Sequence, residues 1–278
     1  MEIRINDKKI DVSLEDEKNV GEVLSALEQW LNNSGHRLTA ISIDGQLVKV
    51  SMIEEIFSRE IDTVSKIDLF TDIVAELAAS SLIDILHEIK EYENLNFEER
   101  ANFTDKWKDS AAAAFICSEM ADLYTLCISA FSGQLNSQTL YSIVEERLRE
   151  VKDPLGEFEK VEPLMNEICE RLVQLPLDIQ TGKDMLASQT IQLFSGVTEK
   201  IFRLFKQFES QDFFEEINEK KPLSQQLGEF GKVLRDLLDA YEKNDSVLVG
   251  DIAEYETSPK LKELYLVIKN NIKAQETK

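Results

Sequence analysis

The sequence predicts an α+β protein that is mostly α, with a small β-rich segment over residues 1–70 followed by a large helical bundle over residues 71–278. Two observations carry the division. Before residue 70, short runs place apolar residues at every second position and are separated by turn-forming pairs. After residue 71, apolar residues recur at steps of three and four, which gathers them on one face of a helix. The strongest helical pattern, residues 157–209, predicts a long hairpin that forms one wall of the bundle.

In the first segment Ile3 and Ile5 alternate with polar neighbours, Asn6-Asp7-Lys8-Lys9 supplies a turn, and Ile10, Val12 and Leu14 alternate again. Asn19 caps a helix carrying Val20, Val23, Leu24, Leu27, Trp30 and Leu31, which ends near Asn32-Asn33-Ser34-Gly35. Leu38, Ile41 and Ile43 lead into the tight-turn pair Asp44-Gly45, followed by Leu47 and Val50. Ser51 is placed to cap a short helix with Met52, Ile53, Ile56 and Phe57, and a strand over 61–70 closes the segment. This order of strand, strand, helix, strand, strand, short helix, strand resembles the β-grasp fold of ubiquitin-like and sulfur-carrier proteins. Those carriers act through a Gly-Gly tail. Here the last strand runs into Asp72-Ile73-Val74 with no glycine pair, so the resemblance implies an interaction module and no carrier chemistry.

The helical part is punctuated at Asn94-Leu95-Asn96, Ser132-Gly133, Asp153-Pro154-Leu155-Gly156, Gln180-Thr181-Gly182, Glu219-Lys220-Lys221-Pro222, Asn244-Asp245 and Thr257-Ser258-Pro259. Ser137 is the expected cap of the helix holding Leu140, Val144 and Leu148. On the first arm of the hairpin Val161, Leu164, Met165, Ile168, Leu172 and Leu175 share a face. Ile191, Phe194, Val197, Ile201, Leu204, Phe205 and Phe208 share one on the second. Pro176 is expected to break or bend the first arm, and Gly182 to close it in the left-handed conformation. Ser224 or Pro222 opens the next helix, and Pro259 sits in the first turn of the last. No linker-like stretch and no fixed-period repeat divides the chain. The stretches Asp245–Leu261 and Gln180–Asp184 resemble parts of uncharacterised bacterial helical proteins, a likeness that implies no catalytic role.

Lys and Arg number 31 against 53 Asp and Glu, a formal net charge of −22. No stretch supplies the cationic footprint that nucleic acid requires, and the same sign disfavours anionic lipid. Solvated helix faces are the ordinary reading of the surplus, and a site that attracts a basic partner is the other. Cys117, Cys127 and Cys169 are too few and too scattered for a disulfide framework, and their apolar neighbours predict buried free thiols. The start, Met1-Glu2-Ile3-Arg4-Ile5, opens a strand and not a signal peptide, and no apolar run has membrane length. The chain is expected in the cytoplasm.

Chemistry-bearing patterns are sparse. Gly182-Lys183 lacks the glycine and the hydroxyl residue of a phosphate loop, since Leu177 and Asp184 stand there. His36 and His87 are the two histidines, and Asp84-x-x-His87 occurs once where a di-iron bundle needs two Glu-x-x-His pairs. Neither a metal site nor a cofactor is predicted. Acidic pairs such as Glu145-Glu146 and Glu215-Glu216, and the spacing Glu215-x-x-Asn218, are what so acidic a composition produces. Two apolar features have the makings of partner surfaces. Phe202, Phe205, Phe208, Phe213 and Phe214 crowd the end of the hairpin, and Ala111–Ala114 with Phe115 lets a helix approach closely. Core packing is the ordinary role of both. Exposure would make the phenylalanines a binding groove or a homodimer face.

The function these features predict is non-enzymatic: an adaptor or scaffold that presents helical faces to another protein. An acidic helical export-type chaperone is the alternative among binding proteins. An enzyme with a site built from scattered carboxylates is the alternative from another class.

Overall fold

The computed structural model describes residues 1–11, 17–49, 52–210, 223–243 and 245–276. The chain is α+β and mostly α, and it forms two compact units, Met1–Lys152 and Asp153–Lys278.

The first unit begins with β1 (Glu2–Ile5) and β2 (Lys8–Ile10), joined by Asn6 and Asp7 at φ 46° and 66°. Two positive φ values make the turn whose twist matches that of the strands. The same device, Asp44 and Gly45 at φ 50° and 83°, joins β3 (His36–Ile43) to β4 (Gln46–Leu47). Between the two hairpins runs α1 (Val20–Asn33), capped by Asn19, whose side chain accepts from the Glu22 N–H. A short α2 (Ile53–Phe57) precedes β5 (Lys66–Ile73). The sheet order is β2-β1-β5-β3-β4, with β1 and β5 parallel and every other pair antiparallel. One face of the sheet supplies Ile3, Ile43, Ile67 and Leu69, and α1 covers it with Val20, Val23, Leu24, Leu27 and Leu31. Each such side chain contributes about 1.5–3 kcal/mol by leaving water. The expected strand residues Val12 and Leu14, together with Val50 and the expected cap Ser51, lie outside the described residues.

From β5 the chain passes directly into α3 (Val74–Asn94), and the Val74 N–H donates to the Gly35 carbonyl at 3.0 Å. Next come α4 (Phe97–Lys108), α5 (Ala111–Glu119), α6 (Ala121–Phe131) and α7 (Ser137–Lys152). Asn96 and Glu99 cap α4 reciprocally. The expected cap Ser137 instead donates its hydroxyl to Glu93, and Asn136 accepts from the N–H groups of Gln138 and Thr139. These helices have their own core. Tyr92, Phe103, Trp107 and Phe131 form its ring cluster, with centroid separations of 5.0 to 5.4 Å. Ala112 and Ala113 are buried there, so the alanine run serves core packing.

The second unit holds α8 (Pro154–Glu159), α9 (Val161–Gln180), α10 (Asp184–Ser210), α11 (Leu223–Glu242), α12 (Ser246–Asp251) and α13 (Ser258–Glu276). The expected caps Pro222 and Ser224 are not described: Pro222 lies outside the described residues, and so does the side chain of Ser224. The hairpin is formed by α9 and α10. Pro176 does not end its first arm, which continues four residues further to Gln180. Nor does the chain turn at Thr257–Pro259. One π-helical turn, Ile252–Thr257, joins α12 to α13 without a break, and the Ser258 N–H donates to the Ala253 carbonyl five residues back. Proline lacks an N–H, and its ring clashes with the carbonyl four residues earlier. Widening the helix ahead of Pro259 relieves that clash.

Residues 71–278 hold two helical cores. One runs from Ala78 to Val151 and the other from Phe158 to Ile272. The break between the units is a helix-to-helix junction, with Pro154 in the first turn of α8 and the Asp153 side chain accepting from the Gly156 N–H. The sequence marks it with the turn Asp153-Pro154-Leu155-Gly156, but no linker composition sets that turn apart from the others.

Candidate interaction surface

The end of the second unit where α9 meets α10 brings together the two stretches that stand out in the sequence. The hairpin turn is closed by Gly182 at φ +71°, with the Thr181, Gly182 and Lys183 N–H groups donating to the carbonyls of Leu177, Ile179 and Asp178. Lys183 also reaches the Asp178 carboxylate at 3.3 Å. Gly182-Lys183 is therefore a helix-closing turn whose lysine is engaged by its own helix.

Three contacts lay the helix formed by α12, the π turn and α13 antiparallel to α9. Gly250 meets Pro176, and a Cβ at Gly250 would come within 2.8 Å of the proline ring. The Cys169 thiol lies 4.0 Å from the Ser258 carbonyl. At the far end Lys269 reaches Glu162 at 2.5 Å, and the Tyr265 hydroxyl donates to it at 3.4 Å. Burial, the Glu162 charge and that hydrogen bond push the Tyr265 phenol up to about 12. This antiparallel course puts the first turn of α12 beside the last turn of α9. Asp245 fixes it by accepting from the Leu248 N–H at 3.1 Å.

Several large apolar side chains near these helix ends are exposed. Leu177, Leu186 and Leu248 are exposed, Val247 is 66 % exposed and Met185 is 74 % exposed. The surrounding sequence is acidic. Asp178 and Asp184 lie on the hairpin side and Glu242, Asp245, Asp251, Glu254 and Glu256 on the other, against Lys183 and Lys243. Behind this surface the packing is dense, with Leu172, Leu175, Val249 and Ala253 inaccessible to water. Where the π turn meets α13, two buried hydroxyls, Thr257 Oγ1 and Ser258 Oγ, have no hydrogen-bond partner.

Phe202, Phe205 and Phe208 do not form this surface. Phe205 and Phe208 are buried in the core of the unit, and Phe202 is half-buried, its ring 6.2 Å from that of Phe230. Phe213, Phe214, Glu215, Glu216 and Asn218 lie outside the described residues. The binding-groove or dimer-face reading of Phe205 and Phe208 is thus replaced by core packing, as their helical spacing allows. Sequence reasoning missed Leu177, Met185 and Val247 because apolar residues at a helix end carry the same periodicity as core residues.

Elsewhere, buried charges are structural. Glu157 is 3 % exposed, and Lys160 and Lys200 each donate to it at 2.8 Å. Burial raises its pKa, but those two lysines outweigh burial and hold the carboxyl below its ordinary value. In the first unit, the Trp107 indole N–H donates to Glu88 at 2.7 Å, while burial of Glu88 pushes its pKa upward. His36 opens β3 with a buried, unpartnered Nδ1, and His87 is exposed on α3. Among the described residues no His, Cys, Asp and Glu side chains gather as a metal site, and no helix is long and apolar enough to cross a membrane. All three cysteines are free; Cys127 and Cys169 are buried as expected, but Cys117 is exposed because it faces outward from α5.

Residues 1–72 match a family described as the TP0873 N-terminal domain, and residues 156–266 match a domain of unknown function, DUF8042. The second match spans the hairpin, the π turn and the exposed apolar end. A protein of Treponema pallidum (strain Nichols), described as an uncharacterized protein, is 22% identical over 265 residues, covering 95% of this chain and 94% of the relative. No solved structure matches the chain.

Proposed function

We propose that the protein is a non-enzymatic interaction protein of the cytoplasm, an adaptor or scaffold that engages a basic partner through the hairpin end of its second unit. The observation that carries this reading is the exposure of five large apolar side chains, Leu177, Met185, Leu186, Val247 and Leu248, at the end of α9 and the starts of α10 and α12, in acidic stretches of the sequence. Exposed apolar side chains grouped on one surface and rimmed by charge are a recurrent sign of a protein-binding site. The free thiols accord with a reducing compartment. The strand order with its parallel β1–β5 pair supports the β-grasp likeness, and with it a second interaction module. That part of the reading rests on fold alone.

The test is affinity capture from native lysate at low and high salt, comparing the full chain with the double variant Met185→Gln, Val247→Gln. The substitutions keep the charge and the helices while removing apolar surface. The expected result is one stoichiometric, salt-sensitive partner that the variant fails to retain. Recovery of many unrelated aggregation-prone proteins would transfer the reading to a chaperone. Identical partners on both baits would remove the hairpin end from the proposal.

A further inference from the structure

We propose that Glu88 is a proton-responsive joint in the first unit, tying α3 to α4 and α5 more firmly in mild acid than at neutral pH. Glu88 is half-buried on α3. The indole N–H of Trp107, at the end of α4, donates to it at 2.7 Å, and Trp107 is itself buried. Ser110 is its other polar neighbour. That hydroxyl favours the ionised carboxylate and also caps α5, accepting from the Ala113 N–H at 3.1 Å. Both partners are neutral. Among the described residues no lysine, arginine or histidine forms an ion pair with Glu88. Glu157 is the opposite case, a buried carboxylate held ionised by two lysines.

The charges that act on Glu88 are of its own sign. Asp84 and Glu91 lie one turn to either side on α3, and both oppose its ionisation. From α6 comes the buried thiol of Cys127, which feels the Glu88 charge, and the Tyr124 ring, stacked on Trp107 with centroids 5.5 Å apart. The charged groups of α3 that meet α7 are others: Lys90 lies over the Tyr141 ring, and Glu93 accepts from the Ser137 hydroxyl. A partly desolvated carboxylate with like charges nearby and no cation keeps its proton to higher pH than it would in water. Burial is the largest influence and outweighs the two donors, so the net shift is upward. A group whose pKa is higher folded than unfolded adds stability below the unfolded value. That stability is lost as pH rises through the folded value. The joint is therefore firmest with Glu88 protonated, and it weakens from the ordinary glutamate range upward.

The experiment uses the full chain carrying Trp30→Phe, since Trp30 is the other tryptophan and is exposed. Trp107 emission then reports the joint. Scanned from about pH 4 to about pH 8, it should titrate with a midpoint above 4.5, the ordinary value of glutamate, and Glu88→Gln should abolish the titration. In urea unfolding followed at Trp107, Glu88→Gln should unfold at higher urea than its parent at about pH 7.5. That advantage should shrink towards about pH 5. Comparing the two proteins at each pH cancels the self-repulsion of so acidic a chain, which they share. Glutamine keeps a carbonyl oxygen for the indole. A loss of stability equal at both pH values would thus make Glu88 a plain acceptor and overturn the inference. So would a titration that survives in Glu88→Gln, or a midpoint at or below 4.5. If Glu88→Gln does not fold, Asp84→Asn takes its place. Asp84 is exposed, and removing its charge should move the parent midpoint down in about 50 mM salt. An unmoved midpoint would refute the assignment to Glu88.

Discussion

Two glycines flank the hairpin end of the second unit under different constraints. Gly182 needs freedom of backbone, since its φ of +71° is a conformation that L side chains resist, while the space around it is open. Gly250 needs absence of bulk, because Pro176 occupies the place of a Cβ. Gly182→Ala is expected to cost about 1–2 kcal/mol, the strain of a left-handed residue. Gly250→Ala should cost about 1–3 kcal/mol through overpacking. Urea denaturation of the two variants measures both. Only the second should also shift α12 against α9 and alter binding at the hairpin end. The thiols separate just as clearly. Burial and the Glu88 charge push Cys127 up to about 12, and burial raises Cys169, while Cys117 is exposed. A thiol reagent at about pH 8 should modify one cysteine in the native protein and the other two only on unfolding, because the thiolate is the reactive form. Equal reaction of all three would contradict the burial of Cys127 and Cys169.

Among the elements, the hairpin was the most legible part of the sequence. Residues at steps of three and four from Val161 to Leu175 and from Ile191 to Phe208 announce two helices, and Gly182 announces the turn between them. Two prolines mislead. Pro176 is tolerated inside α9, where it packs against Gly250, and Pro259 is tolerated because the preceding turn widens by a residue. Neither accommodation leaves a trace in local pattern, since both depend on a neighbouring helix or on backbone geometry. The surface residues are illegible for a related reason. Val247 and Val249 are two apolar residues of one short helix, and only packing decides that the first is exposed and the second is not. The π turn makes a prediction of its own. Thr257→Val replaces a buried, unpartnered hydroxyl with a methyl group of the same shape, so it should be neutral or stabilising in thermal unfolding. A large loss would mean that the hydroxyl is engaged after all.

For the whole molecule, three separate apolar clusters stand where the sequence suggested a small domain and one bundle. Amphipathic periodicity reports that a helix has a buried face, but it does not say which other helix covers it. The division at Lys152 and Asp153 falls on one of several turns legible in the sequence, and nothing in composition singles that turn out as the boundary. It predicts that the pieces 1–152 and 153–278 each unfold cooperatively when expressed alone, because each carries complete cores. Circular dichroism of the two pieces during urea titration checks this, and a non-cooperative melt of either would refute it. The uninterrupted helix from Ser246 to Glu276 has one more implication. Val247 and Tyr265 are residues of a single rod and lie about 27 Å apart along it. Tyr265 stacks on Phe158 with ring centroids 4.7 Å apart. One rod thus holds an exposed valine near its start and, well along its length, a ring buried in the core of the unit.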